Sequence, residues 1–147
     1  MRVDFYQLEG EGARASVLAA LAAKLTGEGQ RLLVVAEKES LLASLNRQLW
    51  TGGAPSSFLA HGREGGSDDK RQPVLLSTRT TAPNQARNIA LVDGEWRTAA
   101  LNYDRAFYLF DAATIDLART AWKSLGDEAG VERHYWAQED GRWVEKA

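Results

Sequence analysis

Two cations and an indole at helical spacing are the residues best suited to hold a charged ligand. Arg119, Trp122 and Lys123 stand at positions i, i+3 and i+4, and Ile115 lies one turn earlier. In a helix these side chains share one face, which offers two cations around an apolar platform. A guanidinium can bind a carboxylate with two hydrogen bonds, and an indole can pack on another ring.

The same residues have a plainer interpretation. Ile115, Ala118, Trp122 and Leu125 also form an apolar helical stripe, which would place the indole in the core. Arg119 could pair with Asp116 on a solvated face, an interaction that contributes little to stability. Spacing alone favours this packing role over a binding site.

A glycine-containing turn matches a second kind of site. Residues 10–15 fit the pattern G-x-G-x-x-A between a predicted strand and a predicted helix, and Glu37 follows the next strand. A nucleotide-binding or oxidoreductase-type enzyme has this layout. However, Glu11 would repel a pyrophosphate, and a helix that begins near Ser16 makes the turn longer than the fingerprint requires. A loose turn is the favoured interpretation, with the enzyme as the alternative.

Other catalytic and metal-binding patterns are missing from the sequence. It has no cysteine, and its two histidines, His61 and His134, do not have metal-ligand spacing. It contains no HExxH, GxSxG or Walker A motif. We therefore expect no catalytic residue, no metal site and no cofactor.

Charge and hydropathy narrow the possible partners. The net charge of −2 lacks the basic footprint of a protein that binds DNA directly and strongly. The longest apolar-rich stretch, Val17 to Leu25, includes Lys24 and is too short to cross a bilayer. The acidic N-terminal segment does not resemble a signal peptide. We expect a cytoplasmic protein that forms one domain over residues 1–147.

Strand and helix patterns alternate along the chain. Helices are predicted between Ser16 and Gly27 and over 38–50 and 112–126, and residues 51–72 are predicted to be a long loop. An Asp140-Gly141 turn predicts a terminal hairpin. The remaining strand candidates are 3–8, 31–36, 73–78, 87–92 and 105–110. This alternation predicts an α/β domain with a mostly parallel sheet covered by helices.

An ordered series of features over almost the whole chain carries a family resemblance. Its members are Phe5-Tyr6, the segment 29–36, Leu49-Trp50, Phe58, His61, the segment 73–76, Ala118-Arg119, Trp122-Lys123 and Trp143. In order and total length, the series resembles the chi subunit of bacterial DNA polymerase III. The resemblance implies a Rossmann-like three-layer fold and a non-catalytic adaptor in DNA replication.

Two partners follow from that resemblance. Chi subunits bind the psi subunit of the clamp loader on one surface and, on another, the acidic C-terminal tail of single-stranded-DNA-binding protein, which ends in Phe. The resemblance implies that Arg119, Trp122, Lys123 and Ile115 bind the tail, and that Trp50, Phe58 and His61 contact psi. The chain departs from the family at two points: Ile115 stands where a basic residue is usual, and residues 58–61 lack a proline.

Overall fold

Eight strands and three α-helices make up the part of the chain that the structure describes. A computed structural model describes residues 1–10, 12–51, 61–65 and 68–147, excluding the side chains of residues 50, 51 and 61. In chain order the elements are β1 (Arg2–Gln7), α1 (Ala13–Gly27), β2 (Leu32–Val35), α2 (Glu39–Thr51), β3 (His61–Arg63), β4 (Val74–Ser77), β5 (Asn88–Leu91), β6 (Arg105–Phe110), α3 (Ile115–Gly126), β7 (Glu132–Glu139) and β8 (Arg142–Glu145). Short 3-10 helices cover Asp69–Arg71, Thr98–Asn102 and Ala112–Thr114.

All eight strands belong to one sheet with the order β3-β4-β2-β5-β6-β1-β7-β8. Every neighbouring pair is parallel except β7 and β8, which are antiparallel. The predicted mostly parallel sheet is therefore confirmed. None of the described helices combines the length and the apolarity that a membrane span requires.

Helices cover both faces of this sheet. Leu32 and Val34 of β2 pack in one apolar cluster with Leu18 of α1 and Leu42 of α2. Leu33 and Val35 point the other way, into a cluster that contains Ala118 and Leu125 of α3. Because a strand covered on both faces has no polar side, the continuous apolar run of β2 is explained. The three-layer α/β architecture is confirmed.

The first helix begins earlier than its sequence pattern suggests. Gly12, at φ +79°, precedes α1, and the Ser16 N–H already donates to the Gly12 carbonyl at 3.0 Å. The expected helix start near Ser16 is therefore wrong. Alanine and arginine favour helix, so residues 13–15 extend it by almost one turn. The predicted end at Gly27 is correct.

The long loop predicted over 51–72 contains regular structure. His61–Arg63 forms the edge strand β3, parallel to β4, and Asp69–Arg71 forms a 3-10 turn. A three-residue strand is too short to show a side-chain period, so only its backbone pairing reveals it. Residues 52–60, 66 and 67 lie outside the described part of the chain.

The chain turns back on itself at the predicted hairpin. Asp140 and Gly141 both have positive φ, at 51° and 76°, as a two-residue type I′ turn requires. This turn joins β7, which runs parallel to β1, to the edge strand β8.

Candidate functional site

A capping box fixes the start of the segment that carries the predicted cations. The Asp111 carboxylate accepts hydrogen bonds from the backbone N–H groups of Ala113 and Thr114, at 3.1 and 3.2 Å. The Thr114 hydroxyl accepts a hydrogen bond from the Asp111 N–H in return. This reciprocal pair begins the 3-10 turn that continues into α3 at Ile115.

The amphipathic pattern of α3 decides which side chains remain accessible. Ala118, Ala121 and Leu125 are buried against the sheet, whereas Arg119 and Lys123 are exposed. The two cations lie next to the buried face of α3, at the boundary between the helix and the sheet. Both can therefore reach a ligand bound beside the helix.

A cavity of about 480 Å³ lies between α3 and the strands beneath it. Its wall includes Ile115, Arg119, Trp122 and Lys123, so the structure brings all four predicted residues to one place. Its floor is aromatic and comes from three strands, with Phe5 on β1, Phe110 on β6 and Tyr135 on β7. One side of the cavity is cationic and its interior is apolar.

The floor residues were missed by the sequence interpretation. Phe5 and Tyr135 are direct register partners on the parallel pair β1 and β7, and Gln7 partners Phe110 across β1 and β6. These residues are more than 100 positions apart in the sequence. The only local signal is their aromatic character within predicted strands.

Trp122 has both of the roles that its spacing in the sequence allowed, because it packs against the core and also lines the cavity. Its ring meets Phe5 edge-on, with centroids 5.2 Å apart and planes at 85°, and Tyr135 in the same way at 6.2 Å and 86°. It is half-buried against the apolar cluster and also lines the cavity. The packing and binding interpretations therefore do not exclude each other.

Arg119 has the solvated partner that the packing interpretation expected. Its Nη1 lies 3.4 Å from the Asp116 Oδ1, and the two side chains are 72% and 93% exposed. An exposed pair three residues apart contributes little and exchanges easily for another carboxylate. Among the described residues, no carboxylate pairs with Lys123.

The floor of the cavity is uncharged at neutral pH. Burial raises the pKa of Tyr135, so its phenol stays protonated. The hydroxyl donates to Gln7 Oε1 at the end of β1. This hydrogen bond satisfies the polar atom and leaves the ring to pack with Phe110, at a centroid distance of 5.9 Å.

The residues of the second predicted surface are described only in part. Trp50 belongs to the last turn of α2, and His61 begins β3 in register with Val74. Phe58 lies outside the described residues, as do the side chains of Trp50 and His61. Their grouping stays a prediction.

Gly10 and Gly12 of the predicted glycine turn border a cavity with an acidic rim. Gly10 and Gly12 have φ values of +88° and +79°, and the cavity of about 600 Å³ is lined in part by Glu9, Arg14 and Asp111. Arg14 Nη2 lies 3.2 Å from Asp111 Oδ2, so its charge is already engaged. Two carboxylates beside one paired cation do not suit a pyrophosphate.

The backbone at Glu37, the other residue of the enzyme alternative, has a structural role. Glu37, which the dinucleotide pattern places at a ribose, donates its backbone N–H to Asp93 Oδ2 at 2.9 Å. The Asp93 carboxylate is also held by Arg97 at 2.8 Å. Within the described ranges, no group of three or more His, Cys, Asp or Glu side chains could hold a metal ion.

Comparison with known families gives one result that covers most of the chain. The family model "DNA polymerase III chi subunit, HolC" matches residues 1–133. The chain belongs to this family. As a chi-family protein it is a DNA replication subunit of the polymerase III system, and the family is an accessory rather than a catalytic one. The matched region includes the whole of α3 and ends at Arg133, so Tyr135 and β8 lie beyond it.

Comparison with solved structures supports the fold assignment. Dbp5 of S. cerevisiae bound to RNA and ADP BeF3 superposes with a TM-score of 0.66 at 13% identity. The match covers 92% of this chain and 41% of that one, so the chi-family chain spans less than half of its length. At this identity the likeness shows only a shared α/β fold. No curated protein matches the sequence.

Proposed function

We propose that this chi-family protein is a non-catalytic adaptor that links the polymerase III clamp loader to single-stranded-DNA-binding protein. One partner is the acidic C-terminal tail of that protein, and the other is the psi subunit. The observation that carries the proposal is the α3 cavity, where two exposed cations flank an aromatic floor. The adaptor acts in the cytoplasm as one chi-like domain, without a cofactor and without strong DNA binding of its own.

The chemistry of the cavity suits an acidic peptide with an aromatic end. Arg119 can release Asp116 and bind the terminal carboxylate with two hydrogen bonds, and Lys123 lies one residue beyond the cavity-lining indole. The terminal ring would pack among Phe5, Phe110 and Trp122 in edge-to-face contacts. A volume of about 480 Å³ lies within the usual range for small binding pockets, about 300–1,000 Å³.

Ile115 is assigned an apolar role in this site. It lines the cavity one turn before Arg119 and packs against the apolar cluster beneath α3. At this position, where the family usually has another cationic residue, this chain has an apolar side chain that lines the cavity. The peptide ring therefore gains apolar contact, and the acidic residues depend on the cations nearer the end of α3.

A second surface is assigned to psi through Trp50, Phe58 and His61. Large aromatic residues dominate the binding energy of many protein interfaces. The helix that carries Trp50, α2, packs on the sheet face opposite to α3. This separation supports simultaneous binding of two partners, as an adaptor requires.

The proposal is tested by calorimetric titration of the protein with an acidic peptide that ends in Phe and copies the tail. Saturable one-to-one binding is expected, and the same peptide without its final Phe should bind at least 10-fold more weakly, since a buried ring contributes roughly 1.5–3 kcal/mol. An Arg71→Glu protein is the matched charge control, because Arg71 is exposed on the 3-10 turn beside β4. Absence of wild-type binding would contradict the proposal.

A further inference from the structure

Arg133 contacts the cavity tryptophan in two ways at once. Its guanidinium carbon lies 4.2 Å from the centroid of the Trp122 ring, as in a cation–π pair. Its Nη1 also donates a 2.6 Å hydrogen bond to the Trp122 carbonyl oxygen. One side chain thus fixes both the backbone and the indole of the same residue.

These contacts come from outside the cavity. Trp122 lines the cavity, whereas Arg133 is not among the residues that line it. The rings of Phe5 and Tyr135 stand nearly perpendicular to the indole, and the guanidinium lies over the indole ring. An indole held by three neighbours loses little rotamer freedom when a ligand packs against it.

Arg133 also adds positive charge to the end of α3. The carbonyl that it binds lies four residues before the end of the helix, close to the negative end of the macrodipole. Its charge stands beside an indole that a ligand in the cavity would contact. The guanidinium lies 4.2 Å from the centroid of that indole, and charges within about 8 Å of each other are only partly screened at physiological ionic strength. An acidic ligand is therefore attracted by Arg133 as well as by Arg119 and Lys123.

The neighbouring glycine makes room for this arrangement. A Cβ on Gly126 would lie 3.0 Å from Nη1 and 3.1 Å from Cζ of Arg133. Gly126 ends α3 and its φ is not positive, so the backbone itself does not require glycine. The close approach of the guanidinium favours glycine there, because a Cβ would make the end of the Arg133 side chain shift by a few tenths of an ångström.

We propose that Arg133 is a positioning residue for the acidic peptide bound beside α3. It holds Trp122 as a rigid wall of the cavity and supplies a third cation behind that wall. The inference rests on the proposed function and deepens it. It assigns part of the site to a strand residue that the helix pattern of Arg119, Trp122 and Lys123 does not include.

Three variants test this role through the affinity for the Phe-ended acidic peptide. Arg133→Met removes the positive charge and the planar guanidinium group, and should weaken peptide binding by about 3- to 10-fold. Arg133→Lys keeps the charge but cannot stack or bond in the same geometry, so it should recover only part of the loss. Gly126→Ala does not change Arg133 itself. The added Cβ displaces the Arg133 guanidinium, which moves easily because it is the end of a flexible side chain.

The Gly126→Ala protein separates positioning from general stability. Because alanine is the better helix former, its melting temperature should equal or exceed the wild-type value, while its peptide affinity falls in the same direction as that of Arg133→Met. Wild-type affinity in both Gly126→Ala and Arg133→Met would overturn the inference and leave the proposed function standing. A wild-type protein that does not bind the peptide would overturn both.

Discussion

The indole of Trp136 donates a 3.0 Å hydrogen bond from Nε1 to Oδ1 of Asp4, a carboxylate with no exposed surface. Arg2 binds the same carboxylate through Nε and Nη2, and Arg105 Nε lies 2.9 Å from its Oδ2. A buried charge is tolerated only when such partners surround it. The network joins the neighbouring strands β6, β1 and β7 on the sheet face opposite the α3 cavity.

Asp4→Asn should therefore destabilise the protein. The amide cannot balance two guanidinium groups, and removing one partner of a buried ion pair costs about 3 kcal/mol or more. Urea unfolding followed by circular dichroism measures the free energy of unfolding. Asp116→Asn, at a side chain that is 93% exposed, is the control and should lower that free energy by less than about 1 kcal/mol. Equal stability of both variants would contradict the role assigned to the network.

The same carboxylate should make stability depend on acidic pH. Burial raises the pKa of Asp4, but the hydrogen bonds from Arg2, Trp136 and Arg105 outweigh it and hold the pKa below the usual 3.8. A lowered folded-state pKa stabilises the protein above pH 3.8, and that stability is lost as the pH falls through the folded-state pKa. Unfolding between pH 6 and 2.5 should show a steeper loss in the wild type than in Asp4→Asn. Parallel curves would exclude Asp4 as the cause.

His134 should make the stability of the terminal hairpin depend on pH, with the opposite sign to the effect of Asp4. Hydrogen bonds with Glu145 and, more weakly, with Glu132 raise its pKa above 6.5, although burial opposes them. Its contribution is fully present below pH 6.5 and is lost as the pH rises through the raised folded-state pKa. An NMR titration of the ring protons, with amide exchange of Val144 on β8, measures both effects. Glu145→Gln should return the His134 pKa towards 6.5; an unchanged titration would contradict the assignment.

Arg119→Glu should abolish binding of the acidic peptide without unfolding the protein. The side chain is 72% exposed, so its replacement costs little stability, while reversal of its charge repels the terminal carboxylate. Calorimetry should show a loss of at least 10-fold, with a melting temperature close to the wild-type value. Unchanged affinity in this variant would remove the α3 cavity as the binding site.

Trp50→Ala should abolish co-purification with psi while leaving peptide binding intact. Truncation of a large aromatic anchor commonly costs about 2 kcal/mol or more of binding free energy, roughly 30-fold in affinity. Pull-down with tagged psi and calorimetry with the peptide measure the two activities separately. Loss of both at once would indicate unfolding rather than a psi interface.

Gly94→Ala should loosen the start of α3. Gly94 has φ +77°, and a Cβ there would lie 2.4 Å from the Thr114 hydroxyl oxygen of the capping box. Left-handed strain alone costs alanine about 1–2 kcal/mol, and the clash adds to it. We expect a lower melting temperature and weaker peptide binding. Gly130→Ala, at φ +78° but with open space around its Cβ, controls for backbone strain and should cost less.

Local patterns in the sequence were sufficient to predict most elements. Apolar runs predicted the buried strands β2 and β6, because a central strand of a parallel sheet is covered on both faces. The strand candidates 73–78 and 87–92 contain β4 and β5. The Asp140-Gly141 pair predicted the hairpin, since its two residues readily adopt positive φ. Helical spacing placed Arg119, Trp122 and Lys123 on one face of α3, where the structure has them.

Tertiary structure alone decided the strand order and the composition of the cavity. Phe5, Phe110 and Tyr135 meet because β1 lies between β6 and β7, and no short-range pattern encodes which strands become neighbours. Arg133 lies 11 residues after Trp122, on the strand that follows α3, and the packing of that strand against the helix brings the two side chains together. The sequence by itself determined which residues face the same way within each element. Pairing between distant segments determined which of those faces form a site.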